Sequence, residues 1–388
     1  MKIKAICCLI LMMIIGSIAT AKTIRPDCGP IEKSVTDWAK FRFDLSNTGY
    51  NPYESILSPA TVGNLVLMWK HMTGGEITSP AVVNGVVYVG SYDDYSVYAL
   101  NASTGCALWK YTTGNLIESS PAVVNGVVYF GSEDNNVYAL DASTGAPLWR
   151  YTTGGVVISS PAVANGAVYV GSYDGILYAL NAGTGALLWS YATEAQVAPS
   201  PAVANGLVYV GSSDKNMYAL NASTGVLLWK YTTGDGIYSS PAVANAAVYF
   251  GTYSADSNVY ALNATTGVLL WKYATGTDVI SSPAVANGTV YVGDYVGNVY
   301  ALNASTGALL WKYVTGARID SSPAVANGVV YIGSYDNNVY ALDAGTGALL
   351  WQYTTGQPVA SSPAVADGVV YVGGSFDHEL YAFHLPNQ

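Results

Sequence analysis

The chain repeats itself, and the period constrains it more than any other feature. From Leu65 onward tryptophans fall at Trp69, Trp109, Trp149, Trp189, Trp229, Trp271, Trp311 and Trp351. The prolines of a Pro-Ala-Val triplet fall at Pro80, Pro121, Pro161, Pro201, Pro241, Pro283, Pro323 and Pro363. Spacing is 40 residues throughout, except for one extra residue after Pro80 and two after Pro241, the latter in the Ser254–Ser257 turn. Such a repeat overrides the prior that 388 residues make two average domains.

Each copy holds four short apolar runs divided by turn residues. In the cleanest copy, Ser321–Gly356, the runs are Pro323–Ala326, Val329–Gly333, Val339–Leu342 and Leu349–Tyr353. The dividers are Asn327-Gly328, Asp336-Asn337-Asn338 and Ala344-Gly345-Thr346-Gly347. Asn-Gly between β-branched runs is a hairpin signal. No segment sustains a 3.6-residue period, so helices are not supported. Four antiparallel strands repeated every 40 residues describe the blade of a β-propeller.

The strand chemistry agrees. The first strand carries proline, which cannot donate to a ladder and needs an edge beside the central channel. The fourth strand carries a basic residue after Trp in most copies: Lys70, Lys110, Arg150, Lys230, Lys272 and Lys312. Charge on an outer edge discourages pairing with other chains. The first Trp strand precedes the first proline strand, and the last copy ends at Phe383 with no Trp strand behind it. The N-terminal strand is therefore expected to complete the last blade and close an all-β, eight-bladed ring of four-stranded antiparallel blades, since one blade alone cannot bury both faces.

Outside the repeat, residues 22–64 read as an N-terminal arm and residues 65–388 as the propeller. Residues 1–21 read as a signal peptide: Lys2 and Lys4, the apolar run Ala5–Ile15, and Ala19-Thr20-Ala21 before Lys22. The apolar run is short for a membrane span, and no later stretch is long enough. The exported chain is thus expected to be periplasmic, cell-surface or secreted, without a membrane span after cleavage, and monomeric. It keeps Cys28 and Cys106, which an oxidising compartment allows to pair as a disulfide. A net charge of -10 argues against nucleic acid as a partner.

The segment Ala-Leu-Asn/Asp-Ala-x-Thr-Gly-x-x-Leu-Trp occurs seven times, from Ala99–Trp109 to Ala341–Trp351. It resembles the tryptophan-docking motif of the pyrroloquinoline quinone (PQQ) propeller superfamily, which includes quinoprotein dehydrogenases and BamB-type assembly lipoproteins. The arm, with Asp37-Trp38, Phe41-Arg42, Asp44 and Gly49-Tyr50-Asn51-Pro52, is also similar to theirs. A Trp in each blade buries about 150–250 Å2 against its neighbour, so the eight tryptophans are read as structural. The Gly supplies positive φ, and the Asn or Asp holds the turn.

In the dehydrogenases the resemblance implies a quinone stacked between a Trp and a disulfide of adjacent cysteines, with calcium on a Glu, an Asn and an Asp. The mature chain has no adjacent cysteines and no Cys-x-x-Cys-His. Its three histidines, His71, His378 and His384, lack metal-ligand spacing, and no metal site can be named. No cofactor is expected; PQQ and calcium belong to the enzyme alternative. No lipobox precedes Cys28.

Copies differ in two places: before the first strand, and in the turn between second and third strands. Both sets fall on one face of an up-and-down blade. Three residues before each Pro the copies read Ile77, Glu118, Ile158, Ala198, Tyr238, Ile280, Asp320 and Ala360. The residue before that is nearly always Val or Ile, with Glu76 the exception. Alternation points the first set one way and the Val/Ile set into the blade. Glu118, Tyr238 and Asp320 are expected at the channel mouth, with Asp278 and Arg318 nearby. The same face gathers most of the acid and should attract cations or basic partners.

The sequence is therefore read as a PQQ-like propeller acting as a non-catalytic binding or scaffold protein through its acidic, variable face. The partner is a protein or small ligand, with a cation the best electrostatic match. The alternative is a PQQ- and calcium-dependent alcohol or sugar dehydrogenase, with Asp320 or Glu118 as the base that removes the substrate's hydroxyl proton.

Overall fold

A computed structural model describes residues 21–23, 28–33 and 35–386. The expected signal peptide lies outside them, save Ala21. Eight antiparallel sheets follow the chain as the blades of a β-propeller, numbered here 1 to 8 from the sheet beginning at Ala81. In blade 7 the strands are Ala324–Ala326, Val329–Ser334, Asn338–Asp343 and Leu349–Thr354. The proline expected inside the first strand lies just before it: the ladder starts where a backbone N–H becomes available.

The turns follow from their residues. Asn327 and Gly328 both take positive φ, 41° and 80°, as a tight hairpin of right-handed twist requires. At the third turn Oδ1 of Asp343 accepts the backbone N–H of Gly345 and Thr346 and the hydroxyl of Thr346. Asn221 does the same for Ser223 and Thr224.

Each tryptophan reaches into the next blade. Trp109 Nε1 donates to the Ala142 carbonyl at 2.9 Å, and Tyr88 of the same blade donates its hydroxyl to that oxygen at 3.2 Å. The glycine of the receiving turn lies flat against the indole: a Cβ on Gly145 would stand 2.7 Å from Trp109 Cδ2. The pattern repeats around the ring. At the seam Trp69 donates to Ala102, and Trp351 donates to Leu65.

The ring closes as expected. Val66–Met72 pairs antiparallel with Glu379–His384 and completes blade 8, so both ends of the propeller share one sheet. A further short strand, Ala21–Thr23, adds to the outer edge of blade 1. Cys28 and Cys106 are joined as a disulfide, which fixes the start of the arm to the third turn of blade 1.

The arm then circles the axis. The inner strands are edges, and their inward N–H groups need acceptors. Trp38 and Val82 of blade 1 exchange two backbone bonds. The carbonyls of Ala39, Leu45, Ser46, Thr48 and Gly49 take the N–H groups of Val123, Val203, Val243, Val285 and Val325 in turn. Asn51 Nδ2 ends the circuit on the Val365 carbonyl of blade 8. Inside this loop Arg42 is almost fully buried and donates to the carbonyls of Pro323 and Pro283. Lys40 donates to Phe41, Asp44 and Asn47. The arm thereby stoppers one end of the channel.

Candidate functional site

The other end is open. An axial cavity of about 440 Å3 has Phe41 of the arm among its lining and the approaches to the inner strands as its walls. The serine before each inner-strand proline forms a collar around it. The backbone N–H of Ser120 donates to Ser160 Oγ at 3.0 Å, Ser160 to Ser200 at 2.9 Å, and Ser200 to Ser240 at 2.9 Å. Ser240, Ser282 and Ser322 continue the chain to Ser362. Ser362 donates to Ser79 and Ser79 to Ser120, so the eight bonds form a closed circle. Each of these serines is at least nine-tenths buried.

Above the collar lies the variable set. Glu118, Tyr238 and Asp320 line the cavity, as expected. Arg318 stands behind Asp320: its Nη2 is 3.3 Å from Asp320 Oδ2, its guanidinium lies 3.8 Å over the Tyr335 ring, and Nη1 donates to Tyr295. Asp278 is not part of the cavity. Its Oδ1 accepts the Ser254 N–H and holds the lengthened turn of blade 5.

Ile77 corrects the alignment of blade 1. It is buried against Gly373, as Ile117 is against Gly90 and Val157 against Gly131. It therefore belongs to the inward Val/Ile set. The irregular proline spacing is a residue missing before Pro80, not one added after it: Trp69 to Pro80 is one residue shorter than Trp109 to Pro121. Thr78 takes the place of Ser119, each accepting a glycine N–H, from Gly90 and Gly131. Glu76, an exception at its position and one of the acids the sequence assigns to this face, also lines the cavity.

Much of the acid on this face is spent on structure. In every blade an Asp of the second turn accepts a Tyr hydroxyl from the third strand, as Asp134 does from Tyr138 at 2.6 Å and Asp336 from Tyr340 at 2.7 Å. Asp336 also takes the N–H of Gly316. The broad acidic face narrows to three carboxylates around the cavity: Glu76, Glu118 and Asp320. Burial in the mouth, then the charges of Glu133 and Glu76, hold Glu118 up at about 7. Burial also raises Glu76 against a hydrogen bond from Ser375, and raises Asp320 against the pull of Arg318 and Tyr335.

Sequence reasoning missed the collar, Phe41 and Tyr92 as cavity walls. The collar had a signal, because Ser precedes all eight prolines.

The repeated geometry has known counterparts. A family model described as "Outer membrane protein assembly factor BamB" matches residues 108–255, 174–317 and 255–387. The chain belongs to this PQQ-like, BamB-type family. Among solved structures it is similar to BamB from Moraxella catarrhalis, at 20% identity and a TM-score of 0.71, covering 82% of this chain and 99% of that one. A europium-containing methanol dehydrogenase matches with a TM-score of 0.79 at 17% identity, covering 92% and 99%. The computationally designed Ika8 protein matches at 0.73 and 20%, covering 81% and 98%. At these identities the likeness to each structure is one of fold. No curated protein sequence matches the chain.

The cavity does not suit the quinone of the dehydrogenases. Its lining offers no Trp, no Cys, no Lys and no Arg, but three carboxylates. PQQ is itself a polycarboxylate, and like charges confined in a desolvated mouth repel. The disulfide joins cysteines 78 residues apart, not neighbours. Among the described residues no group of three His, Cys, Asp or Glu side chains could hold a metal ion. No helix among them is long and apolar enough to cross a membrane.

Proposed function

We propose that this is an exported, non-catalytic binding or scaffold propeller that takes its partner on the variable face, at the axial cavity. One observation carries the reading: the two ends of the channel are unlike. The arm occupies one end and accepts the inward backbone N–H groups of six inner strands there. The other end stays open, and Glu76, Glu118 and Asp320 line its cavity. The family description, an outer membrane assembly factor, agrees with a scaffold role. The leader expected over residues 1–21 supplies the route of export.

Two measurements test it. Absorbance after addition of PQQ and calcium, with a dye-linked alcohol assay, should show neither uptake nor turnover; both together would overturn the non-catalytic reading. Envelope proteins retained by the immobilised wild-type chain should be lost selectively from a Glu118→Gln, Tyr238→Ala, Asp320→Asn variant. Retention of the same set by both would place binding elsewhere.

A further inference from the structure

We propose that the axial cavity binds an alkylammonium group, carried either by a free polyamine or by a lysine side chain of a partner protein. This rests on the binding reading above and names its chemistry.

The walls of the cavity are divided. Glu76, Glu118 and Asp320 come from blades 1, 2 and 7, a contiguous arc in which blade 8 offers only Ala360 and serines. The opposite arc presents Ile158, Tyr238 and Ile280. No basic side chain lies in the lining. The three carboxylates are spread along the arc: among the described residues no three acidic, His or Cys groups gather closely enough for a metal ion. A spread of negative charge facing an apolar wall suits an extended cation with a methylene chain.

The cavity also offers hydrogen-bond acceptors to a donor. Asp320 lines the cavity while Arg318 engages its Oδ2 from behind and Tyr335 lowers its titration from the same side. In the collar each Ser Oγ accepts one backbone N–H, and a hydroxyl oxygen has a second lone pair to offer. An ammonium carries three donors and no acceptor. Placed here it would face the carboxylate arc and donate to a collar oxygen, with the aromatic rings of Tyr238 and Phe41 in the same lining for cation–π attraction.

The carboxyl groups must be ionised for this. Glu118 faces Glu133, Glu76, Tyr92 and Tyr173; Asp320 faces Arg318, Tyr335 and Glu76; Glu76 also faces Asp93, His378 and Ser375. Binding should therefore weaken as pH falls below the Glu118 titration at about 7.

The test is calorimetric titration of the full chain with putrescine, spermidine and a lysine-containing peptide, at low salt, at pH 8 and pH 5.5. Binding is expected at pH 8, weaker at pH 5.5. It should weaken about tenfold, or about 1.4 kcal/mol, in Glu118→Gln and again in Tyr238→Ala. The two substitutions sit on opposite arcs, and thermal melts confirm that each variant is folded. Preference for spermidine assigns the site to free polyamines, and preference for the peptide assigns it to a partner's lysine. No binding of any ammonium probe at pH 8, equal binding of 1,4-butanediol, or binding indifferent to both substitutions overturns the proposal. The envelope-protein comparison reads the whole face, so it can succeed where these titrations fail.

Discussion

The backbone N–H of Ser362 donates to the hydroxyl of Ser79 at 3.0 Å. The two residues are far apart in the chain but adjacent across the seam between blades 8 and 1. Their bond completes the collar, as Val66–Met72 completes blade 8 at the outer edge. The propeller is thus closed at its inner and outer radii by non-covalent contacts. Ser79→Ala leaves a buried N–H without its acceptor, which costs about 1–3 kcal/mol. The urea midpoint should fall accordingly, and Ser79→Thr, which keeps the oxygen, should recover most of the loss. An unchanged midpoint in Ser79→Ala would mean that the collar bond contributes nothing to closure.

Two glycines separate backbone strain from packing. Gly126 and Gly267 have φ of 77° and 71°. A Cβ on Gly126 meets nothing within 4 Å, whereas one on Gly267 would stand 2.7 Å from the Trp229 indole. Gly126→Ala should cost about 1 kcal/mol from left-handed geometry alone. Gly267→Ala should cost about 1–3 kcal/mol more, because the indole must move in a packed interface. Equal losses in urea titrations would show that the glycine–indole contact has slack.

Reduction of the Cys28–Cys106 disulfide should release the start of the arm from blade 1. The bond spans 78 residues of sequence. Restraint of an unfolded loop of that order stabilises by roughly 4 kcal/mol in the chain-entropy picture. Cys106→Ser should lower the melting temperature under oxidising conditions and remove the effect of added reductant. A reductant response that survives in Cys106→Ser would assign the effect to something else.

The repeat made the fold legible because each blade position recurs in the chain and can be compared with itself. Strand number and order, ring closure through Val66–Met72 and the placement of Glu118, Tyr238 and Asp320 at the mouth all came from that comparison. What escaped it has physical causes. Ile77 was misassigned because a missing residue before Pro80 shifts the alternation by one; the Trp-to-Pro spacing carries the signal, and burial against Gly373 makes it plain. Asp278 looked like a site residue, but its carboxylate holds a turn that exists only in blade 5. Phe41 and Lys40 belong to the arm, which has no repeat to be read against. The second-turn aspartates advertised charge, yet their partners are tyrosines four or more residues on, a pairing that composition cannot show.

Two groups give stability opposite dependences on either side of neutral pH. Glu118 is raised from 4.5 to about 7 in the folded chain. The native state therefore holds a proton that the unfolded state releases between these values. Its contribution is fully present below about 4.5 and is lost as pH rises through about 7, and Glu76 and Asp320, also raised, add to this falling limb. Lys40 is lowered from 10.5 to about 7, by burial and by Arg42, against the pull of Asp44. Below about 7 both states hold its proton and the burial penalty is complete. Between about 7 and 10.5 the unfolded state binds a proton that the native state lacks, so stability rises with pH. Urea midpoints of Glu118→Gln should fall less than those of the wild type between pH 4.5 and 7. Lys40→Met should lower the midpoint overall, because three hydrogen bonds are lost. It should also flatten the rise from pH 7 to about 9.5, a window below the ordinary titration of tyrosine. Slopes identical to the wild type in both variants would assign the pH dependence to other groups.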